Sequence, residues 1–252
     1  MRCAILVAAR LGSTRLARKP LLDVAGEPAV ALLLRRILHG VGPAEDEKLR
    51  VAVAAADEPE SRALAHAVPD GVPVLYGPAR NIPARELAAA RTLDAQAVVN
   101  VDGDDLFCSV AAMDRVRAAL EHGAPYARTT GLPLGMNVLG FSCRYLEERL
   151  AGRAGEVIET GWTRVFDEAA CMQVPMSQAE PDPQLRLTLD YAEDLRFFRA
   201  LASALGARRY EATDDEVLGC VAREGLANLN AGRARQYWRE FRAAQAAEEK
   251  SR

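Results

Sequence analysis

The first residues that could carry chemistry lie near the start of the chain, directly after an apolar run. The run Cys3–Ala9 predicts a buried strand. Within the next ten positions the chain gathers four cations and three small polar residues: Arg10, Gly12, Ser13, Thr14, Arg15, Arg18 and Lys19. Backbone N–H groups and Arg or Lys side chains on such a loop can clamp a polyanion. A solvated basic turn explains any one of these cations, whereas four together favour an anion-binding loop.

Carboxylates end two further predicted strands. The segment "QAVVNVDGDD" ends in Asp102, Asp104 and Asp105, and the alternating segment "QLRLTLD" ends in Asp190. Proteins bind Mg2+ with one or two carboxylates together with substrate phosphates. An Asp-Gly turn followed by a helix N-cap explains the first cluster equally well, so both interpretations stay open. We expect the Asp105 side chain, which follows Asp104, to point elsewhere.

Together these loops predict nucleotidyl transfer, because ligands of open parallel sheets bind beyond the carboxyl ends of the strands. The basic loop would hold a nucleoside triphosphate, with Asp104 and Asp190 bridging it through Mg2+ from neighbouring strands. An acceptor oxygen then attacks the α-phosphorus and pyrophosphate leaves, which requires positioning and charge neutralisation more than a protein nucleophile. The chain has only three histidines, and it contains neither G-x-x-x-x-G-K-[ST] nor a G-x-G-x-x-G after the first strand.

Two expectations about stability follow from this arrangement. Lys19 should be an exposed loop cation whose removal changes folding little. The Asp104 and Asp190 carboxylates should repel each other when no metal lies between them, so removing one charge should leave the protein as stable or slightly more stable.

Composition excludes several classes of protein. The 252 residues carry a formal net charge of -3, so no global basic field favours nucleic acid or an anionic membrane as a partner. No apolar stretch is long enough to span a membrane, and the N-terminal run leads into Arg10 rather than into a cleavage site. The five cysteines are scattered without metal-ligand spacing. These features predict a cytoplasmic protein with reduced thiols.

The order of the predicted elements indicates an α/β fold. Strands and amphipathic helices alternate as far as Gly123, which predicts a Rossmann-like, mostly parallel sheet flanked by helices. The pattern then loosens, so within a single domain of residues 1–252 we predict a small β-containing inserted subregion at about 124–180, serving the acceptor or a dimer contact. A C-terminal helix is predicted at 228–252. Its apolar stripe of Tyr237, Trp238 and Phe241 fits either a homodimer contact or docking on its own domain.

Four segments of the chain resemble the cytidylyltransferase family, of the CMP-3-deoxy-manno-octulosonate synthetase and spore-coat polysaccharide synthesis type. The segment "AARLGSTRLARKPLLDVAGEP" is similar to the family opening A-R-x-x-S-T-R-L-P-G-K-P-L, and "VVNVDGDD" is similar to V-N-V-x-G-D. The segment "LRLTLDYAEDLRFFRAL" is close to R-L-T-V-D-x-P-E-D-L, and "LGMNVLGFSCRYLEERL" also resembles the family. The resemblance extends from Ala8 to Leu201, and its first and last motifs are specific in combination.

The resemblance implies a role for individual residues. Arg10, Ser13, Arg15 and Lys19 fall on the family's triphosphate-binding loop, and the resemblance implies that Arg10 and Lys19 are the catalytic cations. The remaining implied positions are three at the nucleotide and two at the metal: Ala8, Ala9, Arg85, Asp104 and Asp190. The implied substrates are CTP and an acidic or phosphorylated sugar-like acceptor, which becomes its CMP derivative as pyrophosphate is released. The implied cofactor is Mg2+.

Several residues depart from the family pattern. Relatives have Gly where this chain has Arg18, which either supplies a fourth cation or faces solvent. Asn81 stands where relatives often carry an acidic residue, and Pro83 is unexpected. Trp162 and Arg164 either cap an acceptor pocket or belong to a helix that packs Trp162 inward and leaves Arg164 outside. Two other functions stay open: a metal-dependent glycosyltransferase that uses a nucleotide sugar, and a non-catalytic nucleotide-binding homologue.

Overall fold

Seven strands form one mostly parallel sheet in the computed structural model, which describes residues 1–41, 48–153, 155–177 and 181–250. The strands of the chain are β1 (Cys3–Ala9), β2 (Asp23–Val24), β3 (Glu27–Pro28), β4 (Leu49–Ala56), β5 (Val74–Gly77), β6 (Ala97–Asp102), β7 (Tyr126–Thr130), β8 (Leu139–Ser142) and β9 (Cys171–Pro175). The order across the sheet is β5-β4-β1-β6-β8-β7-β9, with β8 antiparallel to both of its neighbours. β2 and β3 pair separately as a small antiparallel ribbon.

Helices cover both faces of this sheet. They are α1 (Ala29–Gly40), α2 (Ile82–Thr92), α3 (Val110–Glu121), α4 (Cys143–Leu150), α5 (Ala192–Leu205), α6 (Asp214–Arg223) and α7 (Arg233–Lys250). Side-chain caps explain where several of them begin: Ser109 accepts from the third residue of α3, and Ser142 does the same for α4. None of the helices in the described ranges has the length and apolarity that a membrane span requires.

The core has two layers, one on each face of the sheet. Ile5 and Val7 of β1 belong to a cluster that includes residues of α1, α3 and α5. Ala4 and Leu6 point the other way, into a cluster with residues of α2 and α4. Because a parallel strand in such a sheet is covered on both faces, its sequence is a continuous apolar run. The run that opens the chain is therefore explained by burial on both sides.

The sheet has a topological switch point between β1 and β6. From β1 the chain builds outward through β4 and β5, and it then returns to the other side of β1 with β6. Gly103, directly after β6, donates its N–H to the Ala8 carbonyl at 2.9 Å. A Cβ atom at Gly103 would lie 2.6 Å from that carbonyl oxygen, so glycine is required for the two strand ends to meet. Open α/β sheets bind ligands in the crevice at such a point.

The predicted α/β fold is confirmed, with two differences in detail. The segment 184–190 is not a strand, although its residues alternate; it forms one isolated bridge, between Leu134 and Arg186. Sequence reasoning also missed β7, whose Arg128 and threonines mask a strand that pairs on both sides. The strands β7, β8 and β9 of the predicted subregion extend the main sheet. That subregion's residues 154 and 178–180 lie outside the described ranges, and its role stays a prediction.

Candidate active site

A cleft of about 720 Å3 lies at the carboxyl ends of β1 and β6. Its size falls within the range of small-molecule sites, roughly 300–1,000 Å3. Eight of the nine predicted site residues line it: Ala8, Ala9, Arg10, Ser13, Arg15, Lys19, Arg85 and Asp104. The ninth, Asp190, accepts hydrogen bonds from Arg15 and Lys19. The fold thus brings the predicted residues together, while their roles in binding and catalysis stay predictions.

Lys19 joins the two predicted metal ligands. Its Nζ atom donates to Asp104 Oδ2, and it donates to Asp190 Oδ1 at 3.1 Å. Only 14% of the Lys19 side chain is exposed, so the expectation of an exposed loop cation is wrong. The expected repulsion between two bare carboxylates is wrong for the same reason, because an ammonium group lies between them. Burial opposes the charge on Lys19, but Asp104 and Asp190 outweigh burial and raise the pKa of the ammonium group.

Asp190 is the most heavily paired carboxylate of the site. Its Oδ1 atom also accepts from Arg15 Nη2 at 2.6 Å, and its Oδ2 atom accepts from Arg186 Nη2 at 2.9 Å. Burial alone would raise the pKa of Asp190, but Lys19, Arg15 and Arg186 together hold it below the ordinary value. Arg186, which is fully buried, also pairs with Asp194 at 3.2 Å. Sequence reasoning did not single out Arg186, although it lies in the quoted segment "LRLTLDYAEDL".

Separate backbone hydrogen bonds to two loops, rather than continuous pairing with a neighbouring strand, hold the segment that ends in Asp190. Leu187 N donates to the Leu134 carbonyl at 2.7 Å, and Leu189 N donates to the Asp104 carbonyl at 2.8 Å. The segment therefore divides its bonds between two different loops, which explains why no continuous pairing forms. The second bond ties the backbone next to Asp190 directly to Asp104. The two carboxylates therefore meet although they do not lie on neighbouring strands, and the prediction that placed them on neighbouring strands is wrong.

A cluster of three carboxylates lies beside Lys19. One oxygen each of Asp102, Asp104 and Asp105 lies within 4.8 Å of the others. Desolvation among the crowded carboxylates and the charge of Asp104 raise the pKa of Asp105 well above its ordinary value. The same causes raise the pKa of Asp102, although the Asp102 side chain is exposed at the cleft. The expectation that Asp105 points away from Asp104 is therefore wrong. Of the three, Asp102 and Asp104 line the cleft.

The chemistry of this cluster fits a hard divalent cation. Carboxylate oxygens are the ligands that Mg2+ and Mn2+ prefer, and one oxygen from each of the three side chains lies within 4.8 Å of the others. Sequence reasoning placed Asp102 in this carboxylate cluster but assigned the metal to Asp104 and Asp190 alone, an assignment that stays a prediction. In "VDGDD", Asp102 ends β6 and Gly103 turns the chain so that both Asp102 and Asp104 reach the cleft.

Arg10, the remaining cation of the loop that lines the cleft, also has a carboxylate partner. Its Nη1 atom donates to Glu159 Oε1 at 3.0 Å. Arg10, Arg15 and Lys19 are thus each paired with a carboxylate, and these pairs draw the loop toward the acidic side of the cleft. Glu159 was not found from the sequence because 149 positions separate it from Arg10.

The start of α2 accounts for two departures from the family pattern. Asn81 is the N-cap: its side-chain oxygen accepts from Ala84 N at 3.0 Å, and its amide donates to the Glu156 carbonyl at 3.1 Å. Pro83 lies in the first turn, where a missing N–H costs nothing. Arg85 is 2% exposed and donates to the Pro78 and Ala79 carbonyls. Its Nε atom has no partner among the described residues.

Arg18 faces solvent rather than the cleft. It is exposed, it is absent from the cleft lining, and its φ angle of 52° lies in the left-handed region. That region is favourable for glycine and strained for other residues. Glycine, the residue of the family pattern at this position, adopts such a φ angle without strain, whereas Arg18 adopts it with strain.

The C-terminal helix α7 docks on its own domain and lines part of the cleft. Tyr237, Glu240, Phe241 and Ala244 of α7 contribute to the lining. The Tyr237 ring lies 5.3 Å from the guanidinium carbon of Arg15, which places it above the loop. Docking on its own domain is thus confirmed for the inward side of the apolar stripe, and a homodimer stays a prediction. Sequence reasoning did not assign Tyr237 or Glu240 to the site.

The segment with Trp162 and Arg164 closes the site from the side of α7. Trp162 is 5% exposed and packs edge-on against Phe141 and Phe166, so it does point inward as one interpretation had it. The same interpretation left Arg164 outside, which is wrong, because the Arg164 side chain is only 20% exposed. Arg164 donates to Glu248 Oε1 at 2.8 Å and to Glu249 Oε1 at 2.6 Å. Trp162 also lines the cleft, so the segment both packs the core and shapes the site.

Comparison with known proteins gives consistent matches. A family model described as cytidylyltransferase matches residues 4–142. The 3-deoxy-manno-octulosonate cytidylyltransferase of Anaeromyxobacter sp. (strain K) is 35% identical over 138 residues, which are 54% of this chain and 54% of that protein. The chain therefore spans about half the length of the curated relatives that it matches in this way. The spore coat polysaccharide biosynthesis protein SpsF of Bacillus subtilis (strain 168) is 23% identical over 209 residues, 81% of this chain and 87% of that protein.

The fold is also found among solved structures. A cytidylyltransferase from Leptospira borgpetersenii serovar Hardjo-bovis (strain JB197) superposes with a TM-score of 0.75 at 20% sequence identity. The superposition covers 92% of this chain and 98% of that one, so the likeness includes the C-terminal half that the family model does not match.

Proposed function

This chain belongs to the cytidylyltransferase family, and we propose that it transfers a cytidylyl group from CTP to an acidic or phosphorylated sugar-like acceptor. An oxygen of the acceptor forms a bond to the α-phosphorus of CTP, the bond between that phosphorus and the bridging oxygen breaks, and pyrophosphate leaves. One observation carries the proposal: two cations of a single loop, Arg15 and Lys19, meet the carboxylates at the switch point of the sheet, and Arg10 of the same loop lines the same cleft. Such a site suits a polyanion that binds together with a divalent metal.

In this proposal the opening loop binds the triphosphate. Arg10 and Lys19 exchange their carboxylate partners for phosphate oxygens of the nucleotide, and they stabilise the charge that grows on the leaving pyrophosphate. Arg15 and Ser13 hold the phosphates, while Ala8, Ala9 and Arg85 lie against the nucleoside. Because the Arg85 guanidinium keeps one buried N–H group without a partner in the described structure, it has a donor left for the ligand.

We assign a divalent metal, with Mg2+ as the expected ion, to Asp104 and Asp190, with Asp102 as a third carboxylate. A bound divalent ion would neutralise phosphate charge and favour attack on the α-phosphorus. Asp190 could serve the ion only after Lys19 and Arg15 have turned to the phosphates, because its Oδ1 atom accepts from both of them and its Oδ2 atom accepts from Arg186. The site is therefore better suited to binding the metal and the nucleotide together than to binding either of them alone.

The two alternative functions fit the site less well. A nucleotide-sugar donor carries a diphosphate and requires fewer cations than the four that line the cleft: Arg10, Arg15, Lys19 and Arg85. The non-catalytic alternative depended on departures from the family pattern. Asn81 and Pro83 begin a helix, and Arg18 faces solvent, so these departures leave the cations and carboxylates of the cleft intact.

Thermal denaturation with each of the four nucleoside triphosphates and Mg2+ tests the nucleotide. A ligand that binds only the folded state raises the melting temperature, so CTP should give the largest shift. Pyrophosphate release with an acceptor panel tests the reaction. A larger shift with a purine triphosphate would contradict the choice of CTP, and no shift with any triphosphate would contradict the proposal as a whole.

A further inference from the structure

The cleft has a second wall, which we call the α7 wall. It consists of segment 159–163 and the four lining residues of α7: Tyr237, Glu240, Phe241 and Ala244. None of the nucleotide or metal roles proposed above involves this wall. It borders the same cleft as the triphosphate loop, and the Arg10–Glu159 ion pair connects the two.

The α7 wall is a built structure rather than a chance contact of two surface segments. Glu248 of α7 has a side chain only 8% exposed, and its carboxylate accepts from Thr160 N at 2.8 Å and from Glu159 N at 3.2 Å. Arg164 donates to the same carboxylate. Gly161 has a φ of 62°, and a Cβ atom there would lie 2.8 Å from the Gln245 side chain. The segment is therefore held close against the helix.

The chemistry of the α7 wall differs from that of the loop. All four cations that line the cleft come from the opening loop or from α2, and among the described lining residues the α7 wall has none. It presents instead two carboxylates (Glu159 and Glu240), hydroxyl groups (Thr160, Thr163 and Tyr237) and aromatic rings. Glu240 is itself oriented, because its Oε2 atom accepts from Tyr191 Oη at 2.6 Å and its Oε1 atom from Gln236 at 2.7 Å.

We infer that the α7 wall is the acceptor subsite, and that it selects an acceptor with a single anionic group, the one that attacks, on a hydroxyl-rich body. The inference rests on the proposed function and narrows it. The cations and the metal serve the triphosphate and the attacking group. Once Arg10 has exchanged Glu159 for the triphosphate, a second acceptor anion would face Glu159 and Glu240 without a cation of the α7 wall to neutralise it, which is unfavourable. Hydroxyl groups can instead donate to these carboxylates, and the carbon face of the body can pack on the Phe241 and Tyr237 rings.

Two sugar phosphates that differ by one carboxylate test this inference. The full chain with CTP and Mg2+ is assayed for pyrophosphate release with glucose 1-phosphate and with glucuronic acid 1-phosphate. We expect kcat/KM to favour glucose 1-phosphate by about tenfold or more, because like charges brought together at a site cost several kcal/mol. Thermal shifts with each compound in the presence of CTP and Mg2+ give the same comparison for compounds that bind without reacting.

A matched pair of variants identifies the wall as the cause. Glu240→Gln keeps the size and the acceptor atom of the side chain but removes its charge, so it should reduce the preference at least severalfold. Glu147→Gln, on the exposed surface of α4, should leave the preference unchanged. Neither variant should alter the thermal shift that CTP alone produces.

The outcomes separate the two proposals. An equal or stronger response to glucuronic acid 1-phosphate would overturn the inference and leave the proposed function standing. The inference would also be overturned if CTP stabilised the protein but neither compound gave a response in either assay, and the proposed function would again stand. A protein that CTP fails to stabilise would contradict the proposed function, and this inference would fall with it.

Discussion

Replacing Lys19 by methionine should destabilise the protein and abolish most of its turnover. The substitution keeps the length of the side chain and removes the ammonium group that bonds both Asp104 and Asp190. Removing one partner of a buried ion pair costs about 3–5 kcal/mol, because the other charge is left buried without compensation. Here Asp190 keeps Arg15 and Arg186 as partners, and the Asp104 side chain is 21% exposed. We therefore expect a smaller loss in the free energy of unfolding, about 1–3 kcal/mol.

The measurement is the melting temperature with and without Mg2+. For a chain of this size, a loss of 1 kcal/mol lowers the melting temperature by about 2–4 °C. A divalent cation can replace the missing ammonium charge between the carboxylates, so Mg2+ should raise the melting temperature of Lys19→Met more than that of the wild type. Turnover should fall by about two orders of magnitude or more, the usual loss when one oriented stabilising group is removed.

Arg18→Met is the matched control, since it removes the neighbouring cation of the same loop. Arg18 is exposed and does not line the cleft, so both stability and turnover should stay close to wild type. The reasoning would be refuted if Lys19→Met melted at the wild-type temperature, with no added response to Mg2+, and retained wild-type turnover with CTP.

Three further substitutions test other parts of the structure. Arg18→Gly should raise the free energy of unfolding by up to about 1 kcal/mol, because it relieves a left-handed residue; an unchanged urea midpoint would contradict the strain. Glu86 is fully buried and faces the Asn100 amide, and burial raises its pKa well above the ordinary 4.5, so its ionisation destabilises the fold as the pH rises above that value. Glu86→Gln should therefore gain stability over the wild type between pH 5 and pH 8, and a difference independent of pH would argue against this account. Glu248→Gln should loosen segment 159–163 and raise KM for the acceptor while the thermal shift with CTP stays the same; an equal loss of both would show that Glu248 only supports the fold.

The loop and the sheet could be predicted from the sequence because their signals are local. A strand buried on both faces appears as a continuous apolar run, and the cations of the loop follow it within ten positions. The start of a helix is also a local signal, as in α4, where the Ser142 side chain accepts from the third helical residue. The meeting of the loop with Asp104 follows from the rule that parallel strands bring their carboxyl ends to one edge, since β1 and β6 are parallel neighbours. Asp190 reaches the site on a segment that forms only one isolated bridge, which this rule does not predict.

The rest of the site depends on contacts between distant parts of the chain. The Arg10–Glu159 pair spans 149 positions, and the bonds from Glu248 to segment 159–163 span 88 and 89. Neither Glu159 nor Glu248 lies in a local pattern that differs from that of a solvated glutamate. The expectation for Lys19 was wrong for a related reason: the loop is polar, but Lys19 is buried by carboxylate partners that only the fold supplies.

The pairing of each loop cation with a carboxylate also explains why nucleotide and metal should bind together. When phosphate oxygens take Lys19 and Arg15, Asp104 loses its ammonium partner and Asp190 keeps only Arg186. A divalent cation is the group that can restore neutrality there, so nucleotide binding should strengthen metal binding. By thermodynamic linkage the metal must then strengthen nucleotide binding by the same factor. In the free protein the Lys19 ammonium group thus occupies the place of the metal between the carboxylates. Removing it should weaken the coupling, because the metal could then bind these carboxylates whether or not the nucleotide is bound.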